Sequence, residues 1–149
     1  MRPGVREVGA LGHDLRMDIT FLQPDGLVRS PAFSHATVVP PGATTVYIGG
    51  QNGVDASGAV VSPDVAAQSL RALDNARVAL ESAGATLDDV VSWTILIDQE
   101  ADLRAAYGAV AATLAREGAP PLVTAARVAG LGVPGALIEV SAIAAMVRD

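Results

Sequence analysis

SPDVAAQSLRALDNARVALESAGATLDDVVSWTILI, residues 62–97, holds a complete helix-to-strand transition. Ser62 stands as N-cap, Pro63 in the first turn and Asp64 near the positive helix end. Leu70, Leu73, Ala76, Leu80 and Ala83 recur at three- and four-residue steps and form one apolar face. Arg71 and Arg77 fall off that stripe and are expected to point outward. Gly84 ends the helix. Asp88-Asp89 reads as a capped turn. Val90–Ile97 is a nearly continuous run of β-formers, expected to be buried on both faces.

The pattern extends in both directions. Downstream, Leu103, Tyr107, Val110 and Leu114 make a second apolar stripe in a helix expected over Ala101–Glu117, stopped by Gly118 and Pro120-Pro121. Leu122–Ala129 and Ala136–Val147 read as closing strands. Upstream, Ile19 and Phe21 alternate with Asp18 and Thr20, and Ala36–Val39 and Thr45–Gly50 read as strands between Pro/Gly turns. The order is β-β-β-α-β-α-β-β. Two such helices cover one face of a six-stranded sheet, which makes a two-layer α+β domain over 17–149. The other face needs a cover, so self-association is expected. Residues 1–16 lack a clear period and read as a loose extension.

Composition removes whole mechanisms. Half the chain is hydrophobic, which excludes disorder. There is no cysteine, hence no thiol nucleophile, disulfide or zinc finger. All ten basic residues are arginine, so Schiff-base and phosphate-loop lysine chemistry are excluded. Net charge −6 and few aromatics (one Trp, two Tyr, two Phe) disfavour nucleic acid as a partner. No apolar run approaches the ~20 residues of a membrane span. MRPGVREVGALGHDLR lacks the apolar core of a signal peptide, so a cytoplasmic location is expected.

Gly130-Leu131-Gly132-Val133-Pro134-Gly135 matches GxGxxG, but strand-like ALIEVSAIA follows where a dinucleotide site needs a helix, so it reads as a tight turn. Ser34 and His35, adjacent on a strand, point to opposite faces and cannot pair as nucleophile and base. Two histidines without metal-ligand spacing make no metal site. Glu139 lies inside apolar ALIEVSAIA, opposite in parity to Ile138 and Val140. Its side faces either solvent or a cleft where a carboxylate can hold water.

SPAFSHATVV (30–39), TVYIGGQNGVDASGAVV (45–61), the helix-to-strand stretch and PPLVTAARVAGLGVPGALIEVSAIA (120–144) together resemble the YjgF/RidA (Rid) family over Asp18–Val147. That resemblance implies a chorismate-mutase-like α+β fold and a homotrimer with small-molecule clefts shared between subunits. It further implies hydrolysis of enamines and imines to keto acid and ammonia without metal or cofactor. Some relatives carry an endoribonuclease label. Carried over by position, the cleft would use Phe33, Gly49, Gly50, Arg104 and Tyr107 for binding, with Glu139 as the water-handling acid.

At the position where active members grip the substrate carboxylate with arginine, this chain has Val123. Arg127 shares the parity of 123 but lies about 13 Å along the strand. Arg104 is either a replacement anchor or an ordinary outward helix arginine. The expectation is a homotrimer binding a small carbonyl, imine or enamine metabolite, with imino-acid deaminase activity lost or reduced. The alternatives are a deaminase with altered anchoring, a ligand-sensing or interaction module, and the endoribonuclease-type role. Because the resemblance starts near Met17, residues 1–16 read as an optional extension or an upstream start.

Overall fold

The computed structural model describes residues 18–148. The expected extension over 1–16 lies outside the described residues. Within them, β1 (Thr20–Leu22), β2 (Ala36–Val38) and β3 (Thr44–Asn52) precede α1 (Val65–Ser82). Then come β4 (Val90–Asp98), α2 (Leu103–Leu114), β5 (Leu122–Val128) and β6 (Ile138–Met146). The fold is α+β, with six strands and two helices in the expected order.

The strands divide into two hydrogen-bonded groups rather than one continuous sheet. β1 and β2 form a short antiparallel ribbon, and the remaining strands form a sheet in the order β3-β6-β4-β5. β4 pairs β6 antiparallel and β5 parallel. The ribbon is fastened to the start of β5 by Ser34, whose amide donates to the Pro121 carbonyl (3.0 Å) and whose hydroxyl donates to that of Pro120 (2.6 Å).

α1 packs against β3 and β6 through Ala72, Leu73, Ala76 and Leu80, all buried. Leu70 is 48% exposed, contrary to the expected stripe. The core line instead continues through Ser69, whose hydroxyl donates to the Val65 carbonyl and so enters the interior satisfied. The cap also differs from expectation. Asp64 is the N-cap and accepts from the Ala67 amide, while Ser62 accepts from the Asp64 amide one turn earlier. An ionised carboxylate is the stronger acceptor at the positive helix end. Gly84 stops the helix with φ 77°, as the sequence predicts. The Asp88-Asp89 turn is capped by Asp89, which accepts from the Thr86 amide (2.8 Å).

β4 is less buried than its composition predicts. Trp93 and Ile97 are buried under the helices, but Thr94 and Leu96 on the other face are half-buried, because none of the described residues covers that face. Tyr47, 75% exposed, stands on the same uncovered face. β5 is a parallel edge strand exposed along Val123–Arg127, although parallel strands are ordinarily covered on both faces.

α2 is shorter than the expected 101–117 and starts at N-cap Asp102, which accepts from the Ala105 amide. It packs on α1. Leu103 and Tyr107 of its apolar stripe remain 48% and 60% exposed. Gly108 sits mid-helix, and a Cβ there would meet nothing within 4 Å. Gly108→Ala is therefore expected to raise stability by about 0.5–1 kcal/mol in urea unfolding, by restricting the unfolded chain. A lower midpoint would show that this face of α2 is packed.

Among the described residues, no helix is long and apolar enough to cross a membrane. The Gly130–Gly135 segment is a loop running into β6, with no helix after it, so it has no dinucleotide-binding context.

Candidate functional site

Register places the expected site residues on two opposite faces of the sheet. Val123 pairs Trp93, and Trp93 pairs Ala142. Paired residues share a face, so Val123 lies on the helix side with Trp93, Ile95 and Ile97. Glu139 pairs Leu96 and Asn52, on the opposite, open side. One chain alone does not bring Val123 and Glu139 together.

On the helix side, α2 and the β4–β5 pair stand apart around a cleft of about 470 Å³. Phe33, Tyr107 and Val123 line it, together with Trp93, Val110 and Leu114. The local cause is side-chain size. The sheet-facing side of α2 carries Ala106, Val110 and Ala111, and Ala125 lies opposite on β5, so short side chains face short side chains. Phe33 is held by its neighbours. His35 meets its ring edge-on at 5.5 Å and is itself hydrogen-bonded to the Val28 carbonyl (2.6 Å). The Ser34 hydroxyl is committed to Pro120. Ser34 and His35 are thus positioning residues of the cleft wall, with no nucleophile–base contact.

Among the residues lining the cleft, the one that carries charge at neutral pH is Arg116, which sequence reasoning missed. Its Nη1 donates to the carbonyls of Asp88 (3.1 Å) and Val90 (2.8 Å), and its Nε and Nη2 to that of Ala119 (3.1 and 2.9 Å). The guanidinium lies 5.1 Å over the Phe21 ring. Burial lowers its pKa, with Asp88 opposing, yet a guanidinium stays charged at neutral pH. Its carbonyl partners Asp88, in the turn before β4, and Val90, the first residue of β4, lie 28 and 26 residues away, so no local pattern announces that part of the clamp.

On the open side, β3 carries an extra residue between Ile48 and Gln51, and Gly49 and Gly50 occupy that bulge. A Cβ at Gly50 would run into the Glu139 carboxylate. The missing side chain is what lets Glu139 lie across β3. Glu139 is half-buried, and the ion pairs of the described residues (Arg29–Asp25, Arg77–Asp74 and Arg77–Glu81) leave it out. Gly49 is exposed, with open space beside it.

Neither candidate arginine enters the cleft. Arg127 donates to the carbonyls of Gln99 (3.2 Å) and Ala101 (3.1 Å), bracing the β4–α2 connection. Arg104 is exposed in the first turn of α2, outside the cleft lining. Arg71, expected to point outward, instead donates to the Val54 carbonyl and ties α1 to the loop after β3. Among the described residues, no three His, Cys, Asp or Glu side chains are grouped to hold a metal ion.

Comparison with known proteins matches this architecture. The family model described as Endoribonuclease L-PSP matches residues 28–146. No curated protein matches. Among solved structures, the chain is similar to YyfB of the conserved Rid protein family from Yersinia pestis, at 30% identity and TM-score 0.74. That match covers 87% of this chain and 100% of YyfB. The YjgF gene product of E. coli is also 30% identical, with TM-score 0.61 over 70% of this chain and 81% of that one. RidA from an Antarctic Psychrobacter is 28% identical, with TM-score 0.61 over 68% and 80%. The family model and these matches carry the conclusion: the chain belongs to the YjgF/RidA (Rid) family, whose model bears the description Endoribonuclease L-PSP.

Proposed function

We propose that this chain works as a homotrimer whose clefts between subunits bind a small carbonyl, imine or enamine metabolite, with standard imino-acid deaminase activity lost or reduced. One observation carries the reading. The family's cleft positions fall into two half-sites on opposite faces of one chain, Phe33, Tyr107 and Val123 on one and Gly50 and Glu139 on the other. A complete site therefore needs the complementary face of another copy, and the exposed edge strand β5 and the uncovered sheet face supply surfaces for it. In such a site the Glu139 carboxylate orients and deprotonates a water. The water adds to the imine carbon, the nitrogen takes up protons, and ammonia leaves as the carbonyl forms. Val123 offers a carboxylate-bearing substrate no charge-assisted hydrogen bond, where an arginine fork would offer two.

The test generates 2-aminoacrylate or iminoleucine with a coupled enzyme and measures keto acid release. Release is expected to be at least about tenfold slower than with an Rid relative bearing arginine at the matching position, the loss expected for about 1.4 kcal/mol of missing anchor. Equal rates would overturn the reduced-activity reading. Light scattering is expected to give three times the chain mass; a monomer would remove the shared cleft.

A further inference from the structure

We infer that the cleft between α2 and the β4–β5 pair receives the apolar, uncharged body of a ligand that carries no carboxylate beside its carbonyl or imine carbon. This deepens the proposed function and rests on its assignment of the Val123 face as a ligand half-site. At about 470 Å³ the cleft falls within the size of small-molecule sites. Its walls on both sides come from the same chain, so it is a slot between two layers and not a flat face awaiting another protein.

The lining selects against a carboxylate. Trp93, Ile95 and Val123 from the sheet and Val110 and Leu114 from α2 are apolar. The Arg116 guanidinium in the wall is spent on the carbonyls of Asp88, Val90 and Ala119. The Ser69 hydroxyl, also in the wall, is spent on the Val65 carbonyl. An anion entering here loses its water and gains no free cation among the described residues that line the cleft, a large penalty. A ketone or ketimine needs only one donor, which the exposed Tyr107 hydroxyl can provide. Short side chains at Ala106, Ala111 and Ala125 leave room for a branched aliphatic or phenyl group.

Trp93 is the sole tryptophan of the chain and lines the cleft, so its emission reports occupancy. The purified protein is titrated with two matched pairs: 4-methyl-2-pentanone against 4-methyl-2-oxopentanoate, and 4-phenyl-2-butanone against 2-oxo-4-phenylbutanoate. Each pair differs in the carboxylate. The ketones are expected to change Trp93 emission saturably and to bind at least about tenfold more tightly than their keto acids. Ala125→Phe, which fills the slot, is expected to abolish the ketone response. Val123→Arg, on the exposed edge strand, is expected to reverse the preference and covers the case in which Ala125→Phe fails to fold.

Keto acids binding as tightly as ketones would overturn the inference, as would a ketone response that survives Ala125→Phe. A response to none of the four probes would also overturn it. The imine-hydrolysis assay reads the reduced-activity proposal separately. Keto acid preference with slow hydrolysis of 2-imino acids would sink this inference and leave the reduced-activity proposal standing; fast hydrolysis of 2-imino acids would sink both.

Discussion

Val123→Arg is expected to raise kcat/KM for 2-imino acids by about 10- to 100-fold over the natural protein. An arginine fork on a carboxylate makes two charge-assisted hydrogen bonds, each contributing about 1.5–3 kcal/mol. Ordering the long side chain returns about 0.5–1.5 kcal/mol of that gain. Two bonds less this cost leave about 1.5–5.5 kcal/mol. Solvent at the 37% exposed position 123 screens the pair and keeps the gain in the lower part, about 1.4–2.8 kcal/mol, which is the stated range at about 1.4 kcal/mol per decade. The site can accept the change. Val123 is 37% exposed on an edge strand, so arginine enters without overpacking a core, and its aliphatic stem replaces the valine contact with the slot. The gain is expected to require Glu139, since anchoring a substrate does not activate water. Val123→Arg with Glu139→Gln is therefore expected to bind 2-keto acids and fail to turn over imines. A folded Val123→Arg protein without any gain would show that residue 123 does not face the substrate carboxylate.

Gln68→Leu is expected to cost about 3 kcal/mol or more of folding free energy, a large share of the roughly 5–15 kcal/mol that holds a domain together. Gln68 is fully buried on α1. Its Nε2 donates to the carbonyls of Ser62 (2.8 Å) and Gly135 (3.0 Å), and its Oε1 accepts from the Leu137 amide (2.8 Å). One side chain thus satisfies three backbone groups, one just before α1 and two in the distant segment that leads into β6. Leucine has similar volume but leaves all three unpaired, at roughly 1–3 kcal/mol each, partly offset by its apolar burial. Thermal unfolding is expected to shift down by about 10 °C, at some 2–4 °C per kcal/mol for a chain of this size.

The same change should reach the site. Leu137 lies two residues before Glu139, and Gly53, just after the bulge, packs so closely that a Cβ there would strike the Gln68 backbone. Loosening Gln68 thus loosens both strands that position the carboxylate. An unchanged midpoint in Gln68→Leu would mean that water reaches these groups and that the joint is not a buried one.

Much of the architecture was legible locally. The three- and four-residue apolar steps of 62–84, the Gly84 stop and the strand composition of 90–97 each encode their own conformation, because helix and strand periods are properties of consecutive residues. Parity likewise showed Glu139 opposite Ile138 and Val140. Local reading failed where partners are remote. Asp64 took the cap from Ser62, because Ser62 has the Asp64 amide as its partner and its carbonyl is used by Gln68. Leu70 lost its place in the core to Ser69, whose hydroxyl finds the Val65 carbonyl within the helix. Arg116 was passed over, since two of its three carbonyl partners, those of Asp88 and Val90, lie 28 and 26 residues away.

Residue order and composition were enough for the α+β class, the succession of elements, the exclusion of lysine and cysteine chemistry and the valine at position 123. They could not set the strand order β3-β6-β4-β5, which arises from pairings between segments far apart in the chain. That order puts Val123 beside Trp93 and Glu139 beside Leu96, on opposite sides of one sheet, and divides the candidate site into two halves. The slot under α2 has the same origin. Each alanine is an ordinary helix or strand residue by itself, and a space opens only when Ala106 and Ala111 are set against Ala125 across two packed layers.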